Sequence, residues 1–224
     1  NKIIEFDIDH EGDVRKFIAR NDTIDQIVKL IKEDIGENYQ LKPHYMPNII
    51  DISRFVEDYF SNSIKYLGPL RDEPRSLYPL NPSNDPFDIG IKGEHTAAVF
   101  DLYKSKEISY IKSDSFKASE INPQKINLTL KLAIIDWLTY LGVAEDVVTQ
   151  DRGKFGHELK VVTEGTTIGQ DLTHVGVGVS QVFPILVMCL LADSDSTIII
   201  EQPELHLHPK VQSLLADFFL LMTL

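Results

Sequence analysis

The chain has 224 residues, 43% apolar and 25% charged, with 22 basic against 34 acidic side chains and a formal net charge of −12. That apolar content excludes a disordered chain, and the acidic balance argues against an autonomous basic module for nucleic acid. A single cysteine, Cys189, excludes an intrachain disulfide framework and points to a reducing, cytoplasmic setting. The longest apolar run, residues 182–192, includes Pro184 and is far short of the about 20 residues a membrane span needs. The N-terminus carries neither an initiator Met nor a signal-peptide pattern, and the C-terminus stops inside an apolar pattern. Both ends read as cuts.

Along the chain, Thr23, Ile24, Asp25 and Gln26 form a capping box. Ile24, Ile27, Val28, Ile31 and Ile35 then recur at helical spacing up to Gly36. Residues 39–47, with two prolines, are a loop. A second helix is predicted over 50–60, with Ile52, Phe55, Val56 and Tyr59 on one side, followed by a strand over 64–70. Five of the 11 prolines fall between Pro69 and Pro86, so the connection to Gly93 is long and irregular, as functional loops often are. A helix is predicted over 94–103, and residues 104–125 are polar with little regular pattern.

The clearest amphipathic helix is predicted over 127–141, with Leu128, Leu132, Ile135, Leu138 and Leu141 as its stripe and Gly142 as its left-handed cap. Residues 158–163 and 166–172 read as a hairpin around Glu164 and Gly165. Three segments follow from this: a helical one over 1–62, a strand, Pro-rich loop and helical insertion over 63–144, and a last block over 145–224.

The last block carries the chemistry. Val175-Gly176-Val177-Gly178-Val179-Ser180-Gln181 is a Gly-alternating turn that opens a helix over about 180–191, with Pro184 in its first turn. Such a turn offers free amides and the positive end of a helix dipole to an anion. The bland alternative is a turn that needs glycine only for backbone angles. Thr197-Ile198-Ile199-Ile200 then reads as a buried parallel strand ending in Glu201, the position where α/β folds bind ligands. Twenty positions separate Gln181 from Glu201, enough for one helix, a tight turn and a returning strand.

Gly176–Gln181 followed by Ile-Ile-Ile-Glu-Gln-Pro-Glu-Leu-His-Leu-His-Pro resembles the C-terminal half of ABC-type ATPases. The nearest kind is the prokaryotic AAA group related to SMC, RecF and OLD-family proteins. Tyr66-Leu67-Gly68-Pro69-Leu70-Arg71 and Trp137-Leu138 also look like that group. The resemblance implies an α/β fold: a partial P-loop NTPase core of ABC type with a mainly helical insertion. It places Gly176, Gly178, Ser180 and Gln181 on the signature motif, which contacts the γ-phosphate of ATP held by a second copy. Glu201 falls on the Walker B acid that binds magnesium. Gln202 falls where the catalytic glutamate usually stands, and His208 on the D-loop acid of the dimer interface.

Three departures stand out. The Walker B acid is Glu rather than Asp, Gln202 cannot accept a proton, and Gly178 and Ser180 exchange the usual places of glycine and serine. Glu204 and Glu201 are the substitute bases. No Gly-x-x-x-x-Gly-Lys-Ser/Thr loop occurs, so the triphosphate cradle is expected elsewhere, on the same or another chain. The resemblance implies a head-to-tail homodimer that binds ATP and magnesium and hydrolyses ATP to drive DNA repair or phage defence, with DNA or a nuclease as partner, and no membrane is expected. One alternative is a non-hydrolysing nucleotide sensor or assembly module. Another is a metal-dependent hydrolase: in an extended segment Glu204, His206 and His208 share one face. Arg71 could reach a phosphate or close an acidic contact with Asp72 or Glu73, but is expected to be solvated or structural, and Cys189 is expected to be core.

Overall fold

The structure is a computed structural model that describes residues 2–6, 15–19, 47–81, 85, 87–117 and 123–223. The chain divides into two compact units, residues 1–61 and 62–224. In the first, β1 (Lys2–Phe6) pairs antiparallel with β2 (Arg15–Ala19), a hairpin that the sequence pattern did not announce. Helix α1 (Pro47–Asp58) starts three residues earlier than predicted, with its proline in the first turn where the missing N–H costs nothing. It passes into a π-helical turn, Tyr59–Ser63. The capping box at 23–26 and the helix predicted over 24–35 lie outside the described residues.

The second unit is mixed α/β. Strand β3 (Ile64–Leu67) is shorter than the 64–70 predicted, because the chain turns at Gly68. It pairs in parallel with β9 (Thr197–Ile200), with Ile64 opposite Thr197 and Leu67 opposite Ile200. Parallel is as predicted, but fully buried is not. Thr197 and Ile199 are exposed, while Ile198 and Ile200 pack against the core. One face of this pair therefore meets solvent, unusual for parallel strands.

Between these strands, α2 (Thr96–Tyr103) buries Thr96 to Phe100 in unbroken succession. Residues 104–125 correct the pattern-poor expectation. They hold β4 (Glu107–Ile111), which pairs antiparallel with β5 (Lys125–Thr129), and a short helix α3 (Asp114–Lys117). Ile108 and Tyr110 point inward and Glu107 and Ser109 outward, a period-2 signal too brief to stand out. The segment expected to be a helical insertion thus also contains a strand pair.

Helix α4 (Leu130–Leu141) starts at Leu130, because Thr129 caps it by accepting a hydrogen bond from the Leu132 amide. Asn127 and Leu128 belong to β5. The buried stripe is Leu130, Ala133, Ile134, Trp137, Leu138 and Leu141, while Leu132 is exposed. Gly142 ends the helix in the left-handed region, at φ 68°, as predicted. Next, β6 (Asp146–Asp151), β7 (His157–Val162) and β8 (Gln170–Asp171) form an antiparallel sheet in that order. The predicted hairpin supplies β7 and a two-residue β8, and β6 is an addition.

Helix α5 (Gly178–Leu191) is buried from Val179 to Leu191, and a helix apolar all round is a central one. It begins at Gly178, so Pro184 is its seventh residue and not in its first turn. The missing proline N–H leaves the Ser180 carbonyl without its usual partner one turn on. Helix α4 packs against both α5 and α6 (Pro209–Met222). Trp137 meets Phe218 edge-on at 4.9 Å, and Phe100 meets Phe183 at 5.3 Å. Cys189 is free and buried, as expected, and burial pushes its thiol up to about 12.

Candidate functional site

The parallel pair delivers Glu201 to the carboxyl end of β9. The Glu201 amide donates to the Leu67 carbonyl at 3.0 Å, one step beyond the ladder. Tyr66 opposes Ile199, and Glu201 lies two residues further on, so both side chains stand on the same face. The Tyr66 phenol donates to Glu201 Oε1 at 2.6 Å. That bond, ahead of burial, raises the phenol above its ordinary value, so it stays a donor at neutral pH. Among the described residues no hydrogen bond engages Oε2.

Arg71 closes the arrangement from below. Its guanidinium donates to the Gly68 carbonyl and, at 3.1 Å, to the Glu201 carbonyl. Only 7% of Arg71 is exposed and it binds backbone carbonyls, so of the solvated or structural reading the structural part holds and the solvated part does not. The Asp72 carboxylate pairs with Arg75 instead, at 2.8 Å. Burial pulls Arg71 below its ordinary value, but a guanidinium stays protonated. One cation thus ties together the chain segments leaving both strands. Gly68 allows this, because a Cβ there would sit 3.2 Å from the Ile91 carbonyl, which accepts the Gly68 amide at 2.8 Å. The adjoining turn seats Gly93 against Pro184 of α5: at φ 77°, a Cβ would lie 2.7 Å from the proline Cβ.

The Gly-rich turn precedes α5. Gly176 and Val177 are exposed, and a Cβ on Gly176 would have nothing within 4 Å. No side chain caps α5, so its first amides have no intrahelical acceptor. Ser180 and Gln181 are buried, and the Ser180 hydroxyl donates to the Val177 carbonyl at 2.7 Å. Ser180 also lines a cavity of about 20 Å³ with Asp72, Thr96 and Phe183, room for one water. A Cβ on Gly178 would lie 4.0 Å from Leu207, so the turn touches the chain after β9. No hydrogen bond or ion pair among the described residues joins 176–181 to 201–204.

Beyond Glu201 the chain coils rather than extends. Leu205 donates to the Gln202 carbonyl and Leu207 to that of Glu204, while Gln212 of α6 donates to the carbonyls of Glu204 and Leu207. Gln202 and His206 take the left-handed region, at φ 45° and 60°. For Gln202, which precedes Pro203, this is a costly conformation. His208 caps α6, its Nδ1 accepting the Lys210 amide at 3.2 Å. The idea of a metal site from Glu204, His206 and His208 assumed an extended segment, and the coil removes that premise. Among the described residues no three His, Cys, Asp or Glu side chains gather to hold a metal ion.

The donor set instead fits magnesium shared with phosphates. Magnesium takes hard oxygen ligands, often one or two carboxylates plus substrate phosphates, rather than a full protein cage. An exposed carboxylate with one oxygen anchored and one unengaged suits that role.

A scan against protein-family models matches residues 32–223 to the family described as "AAA domain, putative AbiEii toxin, Type IV TA system". The chain belongs to this AAA domain family. That places it among AAA/ABC-type P-loop ATPases, which generally use ATP with magnesium, and the mixed α/β architecture agrees. No curated protein and no solved structure matches the chain. No helix of the described residues is long and apolar enough to cross a membrane.

Sequence reasoning placed Glu201 at the end of β9 and the Gly-rich turn before α5, and did not anticipate the bonds made by Tyr66, Arg71 and Gln212. The available signal was the Tyr-Leu-Gly-Pro-Leu-Arg string at the end of a short strand. Here Arg71, three residues after Gly68, returns to the carbonyls of Gly68 and Glu201.

Proposed function

We propose that this chain supplies the magnesium-holding acid and the signature turn of a composite ATP site formed head to tail between two copies. The observation that carries the proposal is Glu201: it ends a parallel strand with Oε1 held by Tyr66 and Oε2 unengaged. Magnesium, when bound, neutralises charge on the β- and γ-phosphates. Glu201 holds it, and the Gly176, Gly178 and Ser180 amides face the γ-phosphate of nucleotide on the other copy. Gln181 continues the same first turn, and His208 sits at the dimer interface.

Two features support sharing between lobes. Among the described residues no hydrogen bond or ion pair links the Gly-rich turn to Glu201. The parallel pair exposes Tyr66 and Ile199 on one face, as a sheet does when its cover comes from elsewhere. The P-loop lobe, on the same polypeptide or another, is the cover the reading supplies. ATP turnover then drives a DNA-repair or phage-defence activity through DNA or a nuclease partner.

One observation favours a second reading, a nucleotide sensor that does not hydrolyse. Gln202 cannot accept a proton, so activation of water falls to its amide as an orienting group or to Glu204. Steady-state ATPase of the complete protein and of its Gln202→Glu variant separates the two. A working ATPase turns over as wild type, and Gln202→Glu alters its rate. A sensor binds ATP, does not turn it over, and gains turnover with Gln202→Glu. Absence of ATP binding in both proteins refutes both readings.

A further inference from the structure

We propose that Tyr66 is a positioning residue that aims the Glu201 carboxylate and thereby sets the affinity of this site for its divalent cation. The inference rests on the reading that Glu201 holds magnesium, and goes beyond it by naming the group that orients the ligand.

The Glu201 backbone is fixed on both sides: its amide by the Leu67 carbonyl, its carbonyl by the buried Arg71 guanidinium. The strand register puts Tyr66 and Glu201 on one face, two residues offset. With the backbone held, the remaining freedom is the glutamate side-chain torsions, which cost rotamer entropy to fix on binding. The phenol removes that freedom by gripping Oε1 at 2.6 Å, the short distance of a bond to an ionised acceptor. Glu201 Oε2 is left without a hydrogen bond from any of the described residues. Partners that hydrogen-bond a ligating carboxylate typically change metal affinity by about 10–100-fold when removed. Tyr66→Phe deletes one oxygen from an exposed ring and leaves the strand pairing intact.

The test is Mn2+ titration of the complete protein, followed by electron paramagnetic resonance with a non-hydrolysable ATP analogue present. Nucleotide affinity in EDTA and the thermal midpoint are measured alongside. Wild type, Tyr66→Phe, Glu201→Gln and the double variant are compared. The expected result is loss of Mn2+ binding in Glu201→Gln and a loss of about tenfold in Tyr66→Phe. The double variant binds no worse than Glu201→Gln, while midpoint and metal-free nucleotide affinity hold in Tyr66→Phe. Unchanged or tighter Mn2+ binding in Tyr66→Phe, with Glu201→Gln still deficient, overturns the positioning role and leaves the magnesium reading standing. Wild-type Mn2+ binding by Glu201→Gln overturns the magnesium reading, and the positioning role with it.

Discussion

The helical core around α5 and the strand ends around Glu201 are held together by different forces. In the core, Trp137, Phe100, Phe183 and Phe218 are at most 1% exposed and meet through apolar contact. At the strand ends Leu67 is buried and Ile200 packs on the core, but the face that carries Glu201 is not covered. Tyr66, Leu70 and Ile199 are exposed, and the geometry depends on directional bonds from Tyr66, Arg71 and Gln212. Burial is non-directional and scales with area, so the core can supply stability without fixing any atom closely. Hydrogen bonds add little net stability but fix positions. The two regions therefore divide their tasks: one keeps the chain folded, and the other keeps a carboxylate aimed.

If that division is real, the largest loss of stability belongs to the core. Trp137→Ala removes the ring packed on Tyr140 and Phe218 and should cost about 3–5 kcal/mol in chemical denaturation. A cost under about 1 kcal/mol breaks the comparison, because the core would then tolerate its central cavity. Arg71→Met should come next, at about 2–3 kcal/mol, since it leaves the Gly68 and Glu201 carbonyls without their charged donor. Arg71→Lys should recover only part of this, because a point charge does not reproduce a fork that spans two carbonyls. If Lys restores full stability, Arg71 acts as a charge and not as a geometric clamp.

The same division explains what the sequence made legible. Glu201 could be read because a run of β-branched residues ending in an acid is a local pattern. Helix α5 could be read because thirteen of its residues are apolar or small, although its start was misplaced by two residues. What stayed hidden depends on contacts between distant positions. Arg71 and Glu201 are 130 residues apart, and Tyr66 and Glu201 135. No periodicity connects such pairs. The strands β4 and β6 were overlooked for a different reason: each alternates over only five or six residues, polar outward Glu107 and Ser109 interrupt the apolar signal of β4, and in β6 an apolar residue, Val148, is exposed while Thr149 shares the inner face with Val147. The α4 stripe was misread because Leu128, an apolar residue of the preceding strand, falls in phase with the wrong helical face.

The smallest effect on stability should come from Gly176, and this is where the two regions are best told apart. Neither space nor backbone angle demands glycine there: a Cβ meets nothing within 4 Å, and φ is outside the left-handed region. Gly176→Ala should therefore change stability by between zero and about +1 kcal/mol, the gain coming from a less flexible unfolded chain. A glycine that the isolated fold does not require can still be required by what approaches its backbone. If the turn receives the γ-phosphate of nucleotide on the other copy, the added methyl stands in the approach. Sedimentation of the complete protein with ATP and magnesium should then show weaker dimerisation in Gly176→Ala, with the thermal midpoint unchanged or raised. Dimerisation equal to wild type would mean that the exposed amides of this turn meet no phosphate. The signature role would fall, while the Glu201 site, held by Tyr66 and Arg71, would be untouched by that result.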